Sequence, residues 1–459
     1  MEQIETRRSI RIKILVIMLP IIVDSFLQIF AGTVSTAMIG RLSVEMISAQ
    51  GMSSKFVDIV YFFFKGIGVG LTVYIARSFA QKKMIQVRRY FEETLLTALA
   101  IGMAVGVLLF CFPRTILSFY HVDENVLQVA ARFMQIVSLC IPSWCVIALA
   151  TAVYQAILRT RVPLYVSLGV NGCNILLGYM LIFGGFGAPR LGVYGAAISL
   201  VIARTTGAIV YLCLLYWPKK GLFRQLAPES RFCTRPVTRE LKQVYAMGMP
   251  AAGESANWQL CSIVFSVLLL QYGTATFSAY QIALQAEILT NIPAAGFSVA
   301  TTSLISRSVG LKDREMYRSY SREIYKMSAL ISLGTSAILW FLPGVIMRVL
   351  TSNEELIAIG TLYIFVMGFS QVPQNLGHIS CGICRSVGYR VMPVIVHILG
   401  IWCVRMPGAF LGKMVFDAPI LLVWIFIDLD QLARFIVSTI YLRRKRVYER
   451  FTQYANREA

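Results

Sequence analysis

Leu19–Ser25 reads LPIIVDS and Met249–Ser255 reads MPAAGES. Each stretch sets a proline and, four residues later, a carboxylate followed by serine into an otherwise apolar run: Pro20, Asp24 and Ser25 in one, Pro250, Glu254 and Ser255 in the other. They lie 230 residues apart, half the length of a 459-residue chain. At the same offset Ile75–Ser78 (IARS) faces Ile305–Ser308 (ISRS), and Arg88 and Tyr90 face Arg318 and Tyr320. Pro113, Glu124 and Pro163 likewise face Pro343, Glu354 and Pro393. Matches that keep one offset over so long a stretch indicate an internal duplication.

The composition says in what medium the two copies fold. Hydrophobic residues make up 57% and charged residues only 14%, against roughly 45–50% apolar in a soluble domain. Crossing a bilayer takes about 20 mostly apolar residues in a helix. Twelve stretches qualify: 14–39, 56–76, 94–112, 133–157, 163–186 and 191–217 in the first half, then 244–271, 284–305, 327–347, 356–379, 391–411 and 420–442 in the second. The expected fold is an all-α integral membrane protein of twelve transmembrane helices in two homologous six-helix bundles. Their boundaries are read as 1–217 and 244–442, with a basic linker over 218–243 and a basic tail over 443–459. Six is even, so both copies enter the membrane the same way up, one of the known transporter plans.

Most of the 43 lysines and arginines fall in connections on one side of this scheme. The other side holds only Arg41, Lys55, Arg114, Arg190, Arg348 and Lys413. Cytoplasmic connections carry the basic excess, so both termini are expected in the cytoplasm. A basic face beside anionic lipid then accounts for the formal charge of +20 without nucleic acid. The N-terminal basic residues precede a long apolar run that holds Asp24 and Gln28 and lacks a cleavage site, so it reads as a retained first helix. The absence of extra domains and of organelle signals points to a bacterial inner membrane, and a short, loop-poor chain agrees with a monomer.

Ten cysteines mostly sit in apolar segments, where cysteine packs as a small hydrophobe. Cys381 and Cys384 form a CxxC, but no second Cys/His pair with ligand spacing accompanies it, so neither metal nor cofactor is expected. Neither HExxH nor a phosphate-binding GxxxxGK[ST] loop occurs, which speaks against a membrane metalloprotease and against ATP hydrolysis. His121, His378 and His397 are scattered, and ordinary hydrogen bonding is expected of them ahead of a proton relay.

Several stretches carry a family resemblance. LPIIVDSFLQIFAGTVSTAMIGRLSVEMISAQGMSS is similar to the first helix and loop of the multidrug and toxic compound extrusion (MATE) family. The run from Arg161 to Ser199, with LGVYGAA at Leu191–Ala197, resembles its fifth helix and the start of its sixth. GMPAAGESANWQL resembles the seventh, and IWCVRMPGAFLG, with Arg405 and Pro407, the eleventh. The resemblance implies a twelve-helix antiporter exporting amphipathic, often cationic compounds against protons or sodium ions by alternating access between two bundles. One departure matters: the family's first helix commonly carries a coupling aspartate where this chain has Ser35.

A lone ionised carboxylate at membrane depth costs a few kcal/mol or more, so it faces a wet cavity, binds a cation or takes up a proton. Glu254, supported by Asp24, is therefore the expected coupling group. Gln28, Asn257, Trp258, Gln281 and Gln285 are expected around a cavity for a small-molecule substrate, with Trp258 offering its face to a cation. Lys65, Glu287 and Arg405 are candidates for an ion pair or gate, with Asp428 a suggested partner for Arg405. Arg434 follows Asp430 by one turn and should pair with it. A flippase for a lipid-linked saccharide or another anionic amphiphile is the alternative, for which Lys65, Arg132 and Arg204 would supply positive charge.

Overall fold

The structure, a computed structural model, describes residues 7–42, 44–118, 124–217, 221–226 and 239–444. His121, the tail beyond Arg444 and most of the expected linker lie outside the described residues. The first half contributes α1 (Arg7–Gly40), α2 (Val44–Ala80), α3 (Met84–Cys111), α4 (Pro113–Leu117), α5 (Glu124–Ser138), α6 (Ile141–Ala156), α7 (Arg161–Phe183), α8 (Val193–Tyr216) and α9 (Leu222–Leu226). The second contributes α10 (Arg239–Leu270), α11 (Thr274–Thr290), α12 (Ile292–Gly310), α13 (Arg314–Phe341), α14 (Pro343–Leu350), α15 (Glu354–Val387), α16 (Met392–Leu399), α17 (Met406–Met414) and α18 (Ile420–Arg443). No strand occurs among the described residues.

Eight of these elements are long and apolar enough to span a membrane, and two bent pairs bring the number to ten. Two more helices complete the twelve. α10 carries Glu254, Asn257 and Gln259 through its middle, and α18 carries Asp428, Asp430 and Arg434. These polar and charged residues set the two helices apart from the other ten spans, and they are also where the chemistry lies.

The breaks have local causes. The fourth and eighth segments, read as continuous from sequence, are bent by 49° between α5 and α6 and by 43° between α11 and α12. Pro142 and Pro293 stand in the first turns of α6 and α12, where a missing N–H costs nothing in the new helix but cannot continue the old one. The ninth segment, expected over 327–347, ends sooner: α13 stops at Phe341 and Pro343 opens α14.

The duplication is visible in the backbone. α3 and α13 are both 28 residues long and start at Met84 and Arg314, 230 positions apart. Pro113 opens α4 and Pro343 opens α14, while Glu124 opens α5 and Glu354 opens α15. Lys82 and Lys312 repeat an unusual left-handed turn, with φ of 59° and 60°. Leu158 and Gly388 do the same, with φ of 63° and 106°. A left-handed conformation is disfavoured for any residue with a Cβ, so its recurrence at one offset is strong testimony to common descent.

The chain divides into two compact units, cut two residues past each helix proline, between Ile22 and Val23 and between Ala252 and Gly253. The second cut falls 230 residues after the first. The N-terminal unit spans Val23–Ala252 and thus includes the opening half of α10. Its first turns are tied down by Tyr90, whose hydroxyl donates to Gln243 Oε1 (2.8 Å), and by Thr97, paired with the Tyr245 hydroxyl (2.9 Å). Small residues let α10 and α2 touch backbone to backbone. A Cβ on Gly66 would stand 2.5 Å from the Ala252 nitrogen, and one on Gly248 would stand 2.7 Å from the Ile67 Cα. This is the close approach that small-xxx-small spacing (Gly66/Gly70 against Gly248/Ala252) supplies between membrane helices, where packing rather than the hydrophobic effect drives association.

The C-terminal unit takes the described residues up to Ile22 and from Gly253 onward. The opening half of α1 is held in it by Arg11, which donates to the buried Glu323 of α13 at 2.7 Å, and by Met18 packed against Gly296. Its core centres on Trp424, stacked on Tyr280 (5.7 Å between centroids) and met edge-on by Tyr363 (4.8 Å). Outward-facing apolar side chains such as Leu330, Phe341 and Val349 are largely exposed, as lipid-facing positions are.

Candidate functional site

Pro250 removes the N–H that would have paired with the Ala246 carbonyl, yet α10 continues through it. Glu254 follows one turn later, in the C-terminal unit, with its side chain 11% exposed. Its Oε2 accepts from the Arg385 guanidinium of α15, and its Oε1 lies 2.7 Å from His397 Nε2 on α16. The other ring nitrogen, Nδ1, is 3.1 Å from Arg434 Nη1 of α18.

Arg434 leads to a second carboxylate. Its Nε and Nη2 donate to the two oxygens of Asp430 at 2.6 and 2.5 Å, the same-helix pair expected from the sequence. Asp430, fully buried, also meets Arg405 at 2.8 Å. The suggested partner Asp428 is therefore corrected to Asp430: two residues further along α18 turns a side chain through about 200°. The Arg405 guanidinium lies 5.4 Å from the Trp258 ring centroid, and Trp402 Nε1 donates to Asn257 Oδ1 at 2.8 Å. Glu254, Asn257 and Trp258 of α10 thus contact α15 and the α16–α17 segment, and reach α18 through His397 and Arg405.

The backbone makes room for this network. Residues Gly400–Arg405 form a π-helical turn between α16 and α17, a rare conformation that collects at functional sites. Gly400 faces α18 so closely that a Cβ there would run into Asp430 Oδ1 and stand 2.5 Å from Arg434 Nε. Three guanidiniums surround two carboxylates, so the cluster carries an excess positive charge even with neutral histidines. Buried charges of this kind persist only when paired and hydrogen-bonded.

The other expected residues are distributed differently. Asp24 belongs to the N-terminal unit, where Gln28 Nε2 donates to it at 3.0 Å and Ser167, Lys65 and Arg204 are its further polar neighbours. Tyr211, bonded to Thr151 at 2.9 Å, has Asp24, Tyr154 and Tyr61 as neighbours. Lys65 is exposed, 6.0 Å from the Phe62 ring centroid. Glu287, in the other unit, accepts from the Tyr363 hydroxyl at 2.5 Å. Gln281 is half-buried and Gln285 exposed on α11, and neither joins the Glu254 network. Cys381 and Cys384 are buried free thiols of α15.

Sequence reasoning missed Arg385. The tenth segment was closed at residue 379, whereas α15 runs on to Val387, so this arginine counted as a loop residue. His397 falls within the apolar stretch 391–411, but the pattern gives no sign that it touches Glu254.

The profile of the MatE family matches the chain twice, over residues 20–180 and 250–411. The chain belongs to the MatE family. The two matched stretches begin 230 residues apart, as the duplication requires. This MatE chain is similar to the probable multidrug resistance protein NorM of Thermotoga maritima, 25% identical over 94% of this chain and 92% of the relative. It is also similar to the uncharacterized transporter YisQ of Bacillus subtilis, 22% identical over 90% of each. Among solved structures, a MATE protein in the bent conformation superposes with a TM-score of 0.88 at 15% identity, covering 98% of both chains. A transporter of Pyrococcus furiosus described as having a binding pocket of reverse polarity gives 0.86 at 15% identity over 96% of both. These likenesses establish the twelve-helix fold of the MatE chain and its place among multi-pass membrane transporters.

Proposed function

We propose that this transporter is a secondary antiporter that exports amphipathic organic cations in exchange for a proton, with Glu254 as the centre of coupling and Asp24 in support. The observation that carries the reading is the engagement of Glu254 by both Arg385 and His397. Hard cations such as sodium are held by several oxygen ligands, and both Glu254 oxygens are occupied by nitrogen donors. Of the two coupling ions open from sequence, the arrangement therefore favours the proton. Asp24 supplies a carboxylate near Tyr211, a pairing of charge and aromatic face that suits an organic cation. Relatives named as multidrug resistance proteins support export as the direction. The basic connections support cytoplasmic termini in a bacterial inner membrane. The protein is taken to work as a monomer without a cofactor.

The test uses purified protein in liposomes loaded with a fluorescent cationic dye, under an imposed proton or sodium gradient. The parent should move dye under the proton gradient, and Glu254→Gln, shown to be folded by gel filtration, should not. Parental rates in that variant would remove Glu254 from coupling. A parent inert under either gradient would instead favour an anionic or lipid-linked substrate.

A further inference from the structure

The hydrogen bonds around His397 fix its protonation state. Arginine has five N–H donors and no acceptor, so the Nδ1 that meets Arg434 Nη1 at 3.1 Å must offer a lone pair. Glu254, held by Arg385 through Oε2, is a carboxylate acceptor. Nε2, 2.7 Å from Glu254 Oε1, therefore carries the ring's one hydrogen. In this arrangement Nδ1, which accepts from Arg434, is the one basic site left on the ring.

We propose that His397 is the proton-binding group of this site and that Arg434 reads its charge. The inference rests on the antiport reading above and names the atom at which the proton is taken. A proton arriving from water forms an N–H bond at Nδ1 and makes the ring imidazolium. Nδ1–H then faces Nη1–H of Arg434, donor against donor and cation against cation, and that contact must open. Arg434 keeps its two bonds to Asp430, so its displacement is passed to Asp430 and to Arg405 and Trp258 beyond it. Glu254, between Arg385 and the imidazolium, is the carboxylate that faces the added charge. Loss of the proton from Nδ1 reverses each step.

The groups facing His397 fit this role. From α10 there is Glu254, from α15 Arg385, His378, Gln374 and Cys381, and from α18 Arg434 and Gln431. The His378 ring centroid is 5.8 Å from that of His397. Gln374, His378, Cys381, His397, Gln431 and Arg434 line a cavity of about 10 Å³, room for about one water molecule. Pro373, inside α15, lines the same cavity.

Nitrogen-15 NMR of histidine-labelled protein in lipid nanodiscs tests the assignment without depending on transport. The chain has three histidines, and the His397 signal is the one lost in His397→Gln, which keeps a donor and an acceptor but cannot titrate. Near neutral pH the parent should show Nε2 protonated and Nδ1 bare. In Arg434→Gln, which removes the donor that meets Nδ1 at 3.1 Å, the Nδ1 resonance should move from its parental position. In liposomes, His397→Gln should lose at least tenfold of the proton-driven dye rate. An Nδ1–H tautomer, an Nδ1 resonance unmoved in Arg434→Gln, or parental dye transport in His397→Gln would each overturn the proposal. If the NMR results hold while the parent moves no dye under either gradient, the antiport reading fails and the proton site stands.

Discussion

Asp430 is a fully buried carboxylate between two arginines, and Asp430→Asn is the perturbation that probes it. The carboxylate is fully buried and binds Arg434 at 2.6 and 2.5 Å and Arg405 at 2.8 Å. The asparagine has nearly the same shape but carries no charge and one acceptor oxygen, so two buried guanidiniums lose their counter-ion. Breaking a buried pair by removing one partner costs about 3–5 kcal/mol. At about 2–4 °C per kcal/mol for a unit of this size, the Tm should fall by roughly 6–20 °C. Tryptophan fluorescence during thermal unfolding in detergent measures it, since Trp258, Trp402 and Trp424 all belong to this unit. A control separates charge from shape: Asp430→Leu combined with Arg405→Met and Arg434→Met removes every charge together and should be less destabilising than Asp430→Asn alone. A Tm for Asp430→Asn unchanged from the parent, or a triple variant worse than the single one, would refute the view that Asp430 is there to balance two arginines.

The packing and the repeat give further expectations. Gly66→Val places side-chain atoms where the Ala252 backbone passes at 2.5 Å from a Cβ, and should cost about 1–3 kcal/mol as an overpacked contact, read as lower yield of monodisperse protein and a lower Tm. Gly388→Ala puts a Cβ at a φ of 106° and should cost about 1–2 kcal/mol, whereas Leu158→Gly at the equivalent position should be tolerated. Trp402→Phe deletes the donor to Asn257 Oδ1 and should cost about 1 kcal/mol, seen as a small drop in Tm.

The fold was largely legible because the bilayer imposes a simple rule: apolar runs of sufficient length become helices. The duplication was legible because prolines and acids keep their offset, and Pro113 and Pro343 do open equivalent helices. The bends at Pro142 and Pro293 were missed because proline in a membrane helix is compatible with a straight continuation, a kink or a break, and neighbouring helices decide among them. In the site, Glu254 and the Asp430–Arg434 pair could be read, since a buried acid or a one-turn spacing is a local signal. The meeting of Arg385, His397 and Arg434 could not. It depends on the register of three helices and on a π turn at Gly400–Arg405, which have no signature in a single sequence.

Because each compact unit contains the opening half-helix of the other repeat, neither can be completed from its own repeat alone. During synthesis the N-terminal unit is finished only when Ala252 has emerged, and the C-terminal unit must incorporate residues up to Ile22 made long before the rest of it. Such exchange of an identical element is what two copies do in a domain-swapped homodimer. The chain has that arrangement made covalent, with Pro20 and Pro250 next to the two crossing points. Gene halves separated within 227–238 should accordingly fail to fold when expressed singly and recover when expressed together, each supplying the half-helix the other lacks.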